Sequence, residues 1–275
     1  MPSVPLDGPR AHDDSGVSSS SATPLLQLRA ITKSFGAVQA LKYVDLEVPA
    51  GQVTALIGDN GAGKSTLIKA IAGIYQQTSG DILWNGDVVH IHTPRDAEHL
   101  GIATVYQDLA LCDNLDVVQN MYLGHEVLRH RTLDEIKMEL ATKKVLAELS
   151  VTTVKSVRQK VASLSGGQRQ SIAVAKAVMR DSKLVILDEP TAALGVSQTA
   201  QVLQLIKALA SRGIAVLLIS HNLNDVFAVA DRIAVMHLGT LVSSGPASDY
   251  DTASAVDLIT TGGSVRSGSA MTPSS

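Results

Sequence analysis

Gly58-Asp59-Asn60-Gly61-Ala62-Gly63-Lys64-Ser65 is the stretch on which the reading of this chain turns. It fits the pattern G-x-x-x-x-G-K-[ST], in which glycines let the backbone curl so that its amide hydrogens face a polyphosphate. Val53-Thr54-Ala55-Leu56-Ile57 runs into it as a strand, and residues 65–72 continue as a helix with Gly73 as a natural stop. The loop therefore sits ahead of a helix N-terminus, where negative charge is favoured. Lys64 adds a cation for the β and γ phosphates, and the Ser65 hydroxyl can ligate Mg²⁺. A glycine-rich turn that matches by chance is the competing reading, and the flanking strand and helix weigh against it.

Two further stretches lie downstream. Val185-Ile186-Leu187-Asp188-Glu189-Pro190 is an apolar run ending in two acids. As the carboxyl end of a parallel strand, this is where α/β sheets place ligand chemistry. Asp188 would hold Mg²⁺, directly or through water, and Glu189 would act as general base on an attacking water. Taken alone, the pair reads equally well as a solvated loop. Leu164-Ser165-Gly166-Gly167-Gln168 precedes a helix expected over residues 168–179. Ser165, Gly166 and Gly167 offer a hydroxyl and unobstructed amides at a second anion-favouring helix start. An ordinary N-cap serine explains the same residues in isolation.

The three stretches together, in this order, resemble the nucleotide-binding subunit of an ATP-binding cassette (ABC) transporter. The resemblance covers residues 25–261. It implies an ATPase that binds ATP and Mg²⁺ between two subunits, with residues 164–168 clasping the γ phosphate of ATP held by the partner. Thr66 then belongs to the α phosphate. Gln107, after Thr104-Val105-Tyr106, matches the glutamine that touches the metal and the lytic water and meets the membrane subunit. His221, in Ser220-His221-Asn222, matches the switch histidine at the γ phosphate. Phe35, in Lys33-Ser34-Phe35-Gly36, matches the aromatic that stacks on adenine; a core phenylalanine near a turn is the competing, less favoured reading.

Residues 189–196, 111–120 and 220–227 resemble the ATPases of bacterial monosaccharide importers, and the absence of an internal repeat points to the single-cassette ribose- and fructose-type members. That implies a homodimer, transmembrane permease subunits, a sugar-binding protein acting through them, and a place on the cytoplasmic face of the membrane. One departure stands out. Many cassettes carry Ser-Ala-Leu-Asp after the proline, where the Asp helps couple the two sites. Here the segment is Ala192-Ala193-Leu194-Gly195, and Gly195 brings no carboxylate. An ABC ATPase for another cargo is the nearest alternative. A soluble ABC protein of ribosomes or DNA, or a P-loop kinase, fits less well.

Composition agrees with this reading. The chain has 275 residues, 45% of them hydrophobic, with a net charge of −3. No basic field argues for nucleic acid. Its single cysteine, Cys112, cannot form an internal disulfide. No stretch approaches the roughly 18 apolar residues of a membrane span. Residues 1–24 and 262–275 read as disordered tails around an ATPase domain over 25–261.

The expected fold is an α/β P-loop NTPase with a mainly parallel sheet, an antiparallel β subdomain, and a helical subdomain at about residues 108–165. Residues 25–31 and 44–48 are expected as strands. Residues 81–91 are expected as a hairpin turning at Asn85-Gly86. Val202, Leu205, Ile206 and Leu209 form one helical stripe. Residues 132–150 are expected as a helix with two apolar faces, Leu133, Ile136 and Leu140 on one and Met138, Val145 and Leu149 on the other. A break in the helix or packing on both sides would account for that pattern.

Overall fold

The computed structural model describes residues 23–263. In chain order the elements are β1 (Leu26–Phe35), β2 (Val38–Val48), β3 (Val53–Gly58), α1 (Lys64–Ile71), β4 (Ser79–Trp84), β5 (Asp87–Val89), α2 (Pro94–Leu100) and β6 (Ile102–Val105). Then come α3 (Val117–Tyr122), β7 (Leu128–Arg129), β8 (Thr132–Leu133), α4 (Glu135–Glu148), α5 (Gly166–Val178) and β9 (Leu184–Asp188). The chain continues through α6 (Val196–Ser211), β10 (Ala215–Ile219), α7 (Leu223–Val229), β11 (Arg232–His237), β12 (Thr240–Pro246) and α8 (Thr252–Thr261). Most of the residues expected as tails, 1–24 and 262–275, lie outside the described residues.

A six-stranded sheet in the order β12-β11-β3-β10-β9-β6 forms the centre. Every neighbouring pair is parallel except β11 with β12. Each residue of β3 and β10 is buried, as expected of parallel strands covered on both faces. Side-chain alternation then assigns residues to two cores. Leu184, Ile186, Leu217 and Ile219 face a core shared with α1 and the antiparallel strands. Val185, Leu187, Val216 and Leu218 face a core built with α3, α4, α5 and α6. The expected stripe of Val202, Leu205, Ile206 and Leu209 is buried there in full.

The early strands form a separate antiparallel sheet, β2-β1-β4-β5. Its hairpin turns at Asn85 and Gly86, with φ of 52° and 90°. Both central residues are thus left-handed, as a type I′ turn requires. The second strand ends at Val89, two residues sooner than expected.

The middle of the chain departs further from expectation. The helix expected over 132–150 begins at Glu135, because Asp134 caps it by accepting from the Lys137 amide. Thr132 and Leu133 instead pair with Arg129 and Leu128 in a short hairpin. The two apolar faces are not both packed. Met138 and Leu149 are buried, whereas Leu133, Ile136 and Leu140 are 50%, 73% and 62% exposed.

Candidate functional site

The parallel sheet gathers the site at one edge. Ile219, at the end of β10, stands level with Asp188 of β9 and with Leu56 of β3. Val105, at the end of β6, stands level with Leu187. The segments that follow these strands carry residues 58–66, Asp188 and Glu189, His221, and Gln107. All therefore leave the sheet at its carboxyl edge, the place α/β folds use for ligands.

The phosphate loop takes its shape from its glycines. Gly58 has φ of 154°, and a Cβ there would lie 2.3 Å from the Met236 carbonyl oxygen. No side chain fits between β3 and β11 at that point. Gly61 and Gly63 are left-handed at 82° and 101°. Gly63 is the N-cap of α1 and carries no side-chain cap, so the first amides of the helix are left for an anion. Asp59, Asn60, Gly61 and Ser65 are exposed, Gly63 and Thr66 half-buried, and Ala62 buried.

Lys64 is buried, and its ammonium donates to the carbonyls of Gly58 at 2.7 Å and Asp59 at 2.9 Å. Burial holds its pKa below the ordinary lysine value, while Glu189, Asp59 and Asp188 pull it back up. Asp188 shows the reverse effect. Burial and then the neighbouring Glu189 push its carboxyl above the usual range, with Lys64 and Lys69 opposing. A half-buried acid pair beside a lysine that bonds only backbone carbonyls is a set of charges arranged for a polyanion with its cation.

Glu189 has φ of 51°, an uncommon conformation for a non-glycine residue. Its amide donates to the Ile219 carbonyl at 3.0 Å, locking the turn onto β10. Its Oε2 lies 2.8 Å from His221 Nδ1. The histidine side chain is 72% exposed and that of Glu189 17%. A half-buried carboxylate with an exposed imidazole on its open side can hold a water and move a proton. Gln107 is exposed two residues past the end of β6.

Phe35 is not a core residue. It is 44% exposed at the end of β1. Tyr75, which sequence reasoning missed, meets it edge to face at 5.2 Å and 76°. The Lys33 ammonium lies 5.1 Å from the Phe35 ring centre. The pair of rings is an open aromatic surface suited to a purine base.

Ser165 is the N-cap of α5, with its hydroxyl accepting from the Gln168 amide at 3.4 Å. Gln168 closes the box by accepting from the Ser165 amide at 2.9 Å, and its side-chain nitrogen donates to the Thr153 carbonyl at 2.6 Å. Both polar ends of Gln168 are thus engaged within the chain. Ser165 and Gly166 remain exposed and Gly167 is buried. Among the described residues no hydrogen bond or ion pair joins residues 164–168 to residues 58–66.

The glycines of this stretch are needed for packing within the chain. A Cβ on Gly166 would lie 2.9 Å from Leu194 Cδ2, and one on Gly167 would lie 2.9 Å from Gln198 Cβ. Gly167→Ala must therefore push the start of α5 away from α6. The expected result is a hydrolysis rate lowered about tenfold or more, since displacements of about 1 Å cost that much in positioned chemistry. Nucleotide affinity of the single chain should be unchanged, as titration with a fluorescent ATP analogue would check.

Comparison with known proteins identifies the family and the fold. Residues 41–192 match the ABC transporter family model. The chain is 46% identical to the xylose/arabinose import ATP-binding protein XylG of Sulfolobus acidocaldarius, over 79% of this chain and 86% of that protein. It is 43% identical to the fructose import ATP-binding protein FrcA of Rhizobium meliloti, over 86% and 94%. Its fold superposes on the ADP conformation of an ATP-binding cassette of an ABC transporter with a TM-score of 0.73 at 27% identity, covering 86% of this chain and 95% of that one. A phosphate loop, an acid pair and a histidine at one sheet edge, together with a family match across more than half the sequence, place this chain in the ABC transporter family as an ATPase.

Proposed function

We propose that this chain is the ATP-hydrolysing subunit of a monosaccharide importer, working as a homodimer that closes on two ATP molecules. The observation that carries the reading is the Glu189–His221 pair beside the phosphate loop, set in a chain whose relatives import xylose, arabinose and fructose. Adenine lies against Phe35, and the phosphates lie in residues 58–66, with Lys64 turning from its own carbonyls to the β and γ groups. Ser65, Gln107 and Asp188 offer hard oxygen ligands of the kind Mg²⁺ takes. Mg²⁺ held by these residues would supply positive charge to neutralise the phosphate oxygens. Glu189 takes the proton of the attacking water, and His221 holds the carboxylate and the terminal phosphate in register. Ser165, Gly166 and Gly167 of the second copy close the site over the γ phosphate.

The dimer binds ATP more tightly when closed than when open, and that difference supplies the work. A cavity of about 290 Å³ beside Gln107, with Tyr106, Asp108, Leu109, Ala97, Lys176 and Arg180 among its lining, suits a helix of a permease subunit. Its mixture of apolar wall and charged rim is that of a docking groove. Among the described residues no helix is long and apolar enough to cross a membrane. Attachment at the cytoplasmic face therefore runs through the permease, and a sugar-binding protein delivers cargo from the other side.

Uptake of labelled xylose, arabinose, fructose and ribose by cells with and without the gene tests this reading. Uptake of at least one sugar should fall to background, and Lys64→Ala should fail to restore it. Unchanged uptake of all four would instead favour a non-sugar cargo.

A further inference from the structure

The β7–β8 hairpin and the start of α4 carry large apolar side chains that nothing among the described residues covers. Leu128 pairs directly with Leu133, so both point to one face of the two-stranded ribbon. Both are exposed, as are Ile136 and Leu140, which lie four apart on one face of α4. The same helix turns Met138, Thr142 and Leu146 to the interior. A single exposed leucine is ordinary, but a cluster of exposed apolar side chains marks a surface that meets something.

The charges around this surface are sorted. Its acids are engaged. Glu139 pairs with Lys143 at 2.6 Å and with Arg158 at 2.7 Å, and Glu135 pairs with Arg158 at 3.2 Å. Asp134 accepts from the Lys137 amide at 3.1 Å, and Glu126 from the Gly124 amide at 3.0 Å. The cations beside the leucines are left over. Arg129, Arg131 and Lys137 are exposed, and among the described residues their side chains make no ion pair or hydrogen bond. The chain as a whole has a net charge of −3, so these cations form a local field and not part of a general basic surface.

The hairpin also adjoins the groove proposed for the permease. His125, shortly before β7, lies 3.8 Å from Glu98, and Glu98 pairs with Arg180. Glu98 and Arg180 both line that groove. The side of the molecule that meets a permease faces the bilayer, and an anionic leaflet attracts exposed lysine and arginine. Apolar side chains flanked by cations are the combination such an interface takes. We propose that Leu128, Leu133, Ile136 and Leu140, with Arg129, Arg131 and Lys137, dock on the anionic lipid surface of the membrane, a second attachment beside the permease. The orientation rests on the importer reading given above.

The test uses the purified full chain without permease or sugar, so its outcome is separate from that of the uptake experiment. Co-sedimentation with vesicles of mixed phosphatidylglycerol and phosphatidylcholine is compared with vesicles of phosphatidylcholine alone. The wild-type chain should bind the anionic vesicles at least about tenfold more tightly. Salt at about 1 M, where screening acts within about 3 Å, should abolish the difference. Arg129→Glu/Arg131→Glu should lower binding to the anionic vesicles by about tenfold or more. Ile136→Ser/Leu140→Ser should lower it by a similar factor through loss of the inserted side chains. Arg129→Lys/Arg131→Lys keeps the charge and should bind as wild type does. Melting temperature and ATP hydrolysis should be unchanged in all three variants, because every substituted side chain is exposed. A wild-type chain that does not distinguish the two vesicles, or charge-reversed and serine variants that bind as wild type does, would overturn the lipid contact. Loss of binding by the lysine variant would contradict it too, since a lipid field reads charge and not shape. Binding through these residues that appears only when the permease is present in the vesicle would make the surface a protein contact and overturn the proposal.

Discussion

Glu189→Gln should reduce ATP hydrolysis by at least about a hundredfold, within the range general bases contribute, while leaving ATP binding in place. The substitution keeps the size and hydrogen-bonding capacity of the side chain and removes its basicity. It also removes the charge that faces His221 at 2.8 Å and the charge that helps raise the Asp188 pKa. With one acid of the pair neutral, Asp188 should ionise more readily and hold the cation at least as well. The fold should tolerate the change, because the left-handed turn is held by the backbone bond to Ile219 and by Thr191. The observable consequence is accumulation of an ATP-bound dimer that does not turn over. Phosphate release and sedimentation with ATP measure the two halves of that expectation. A variant that hydrolyses ATP at the wild-type rate would remove Glu189 from the role of base.

The parts of the fold that were legible share a physical cause. β3 and β9 read as apolar runs because they are buried on both faces, and α6 read as a stripe because one of its faces is. The hairpin at Asn85-Gly86 was legible because few dipeptides accept two left-handed residues. The start of α4 was not legible. Leu133, Ile136 and Leu140 look like a core face in sequence but stand exposed, and periodicity reports pattern without reporting what covers it.

The site divides in the same way. Residues 58–65 and the acids after β9 carry their pattern in local sequence. Tyr75 does not, since it meets Phe35 only through tertiary folding. Ser165 was ambiguous for a different reason. It is at once an N-cap, as the structure displays, and a group offered outward. A capping box and an anion site use the same helix end, so the first does not exclude the second.

Ser165→Arg carries the second large effect. Ser165 is exposed at the extended N-cap of α5, so an arginine there is accommodated by solvent in the single chain. Loss of the cap costs about 1 kcal/mol, an amount a folded domain of this size withstands. In the closed dimer the same side chain would project into the space kept for the partner's γ phosphate. It would add bulk where the site needs two small residues and a hydroxyl. Hydrolysis should fall by about a hundredfold or more, the loss expected when an oxyanion-type contact is removed and closure is blocked. Binding of ATP to the single chain, assigned above by proposal to Lys64 and the amides of residues 58–66, should be unchanged. Ser165→Ala separates the two causes, because it loses the cap without adding bulk and should retain the closed dimer.

The central claim is that each ATP site is built from the phosphate loop of one copy and the Ser165 helix start of another. Sedimentation of Glu189→Gln with ATP, beside the double variant Glu189→Gln/Ser165→Arg, tests it most directly. The account predicts twice the mass of one chain for the first, with one ATP per chain, and the mass of one chain for the second with the ATP affinity of a single chain retained. Loss of ATP binding by the double variant as a single chain would place Ser165 in its own chain's site and contradict the account.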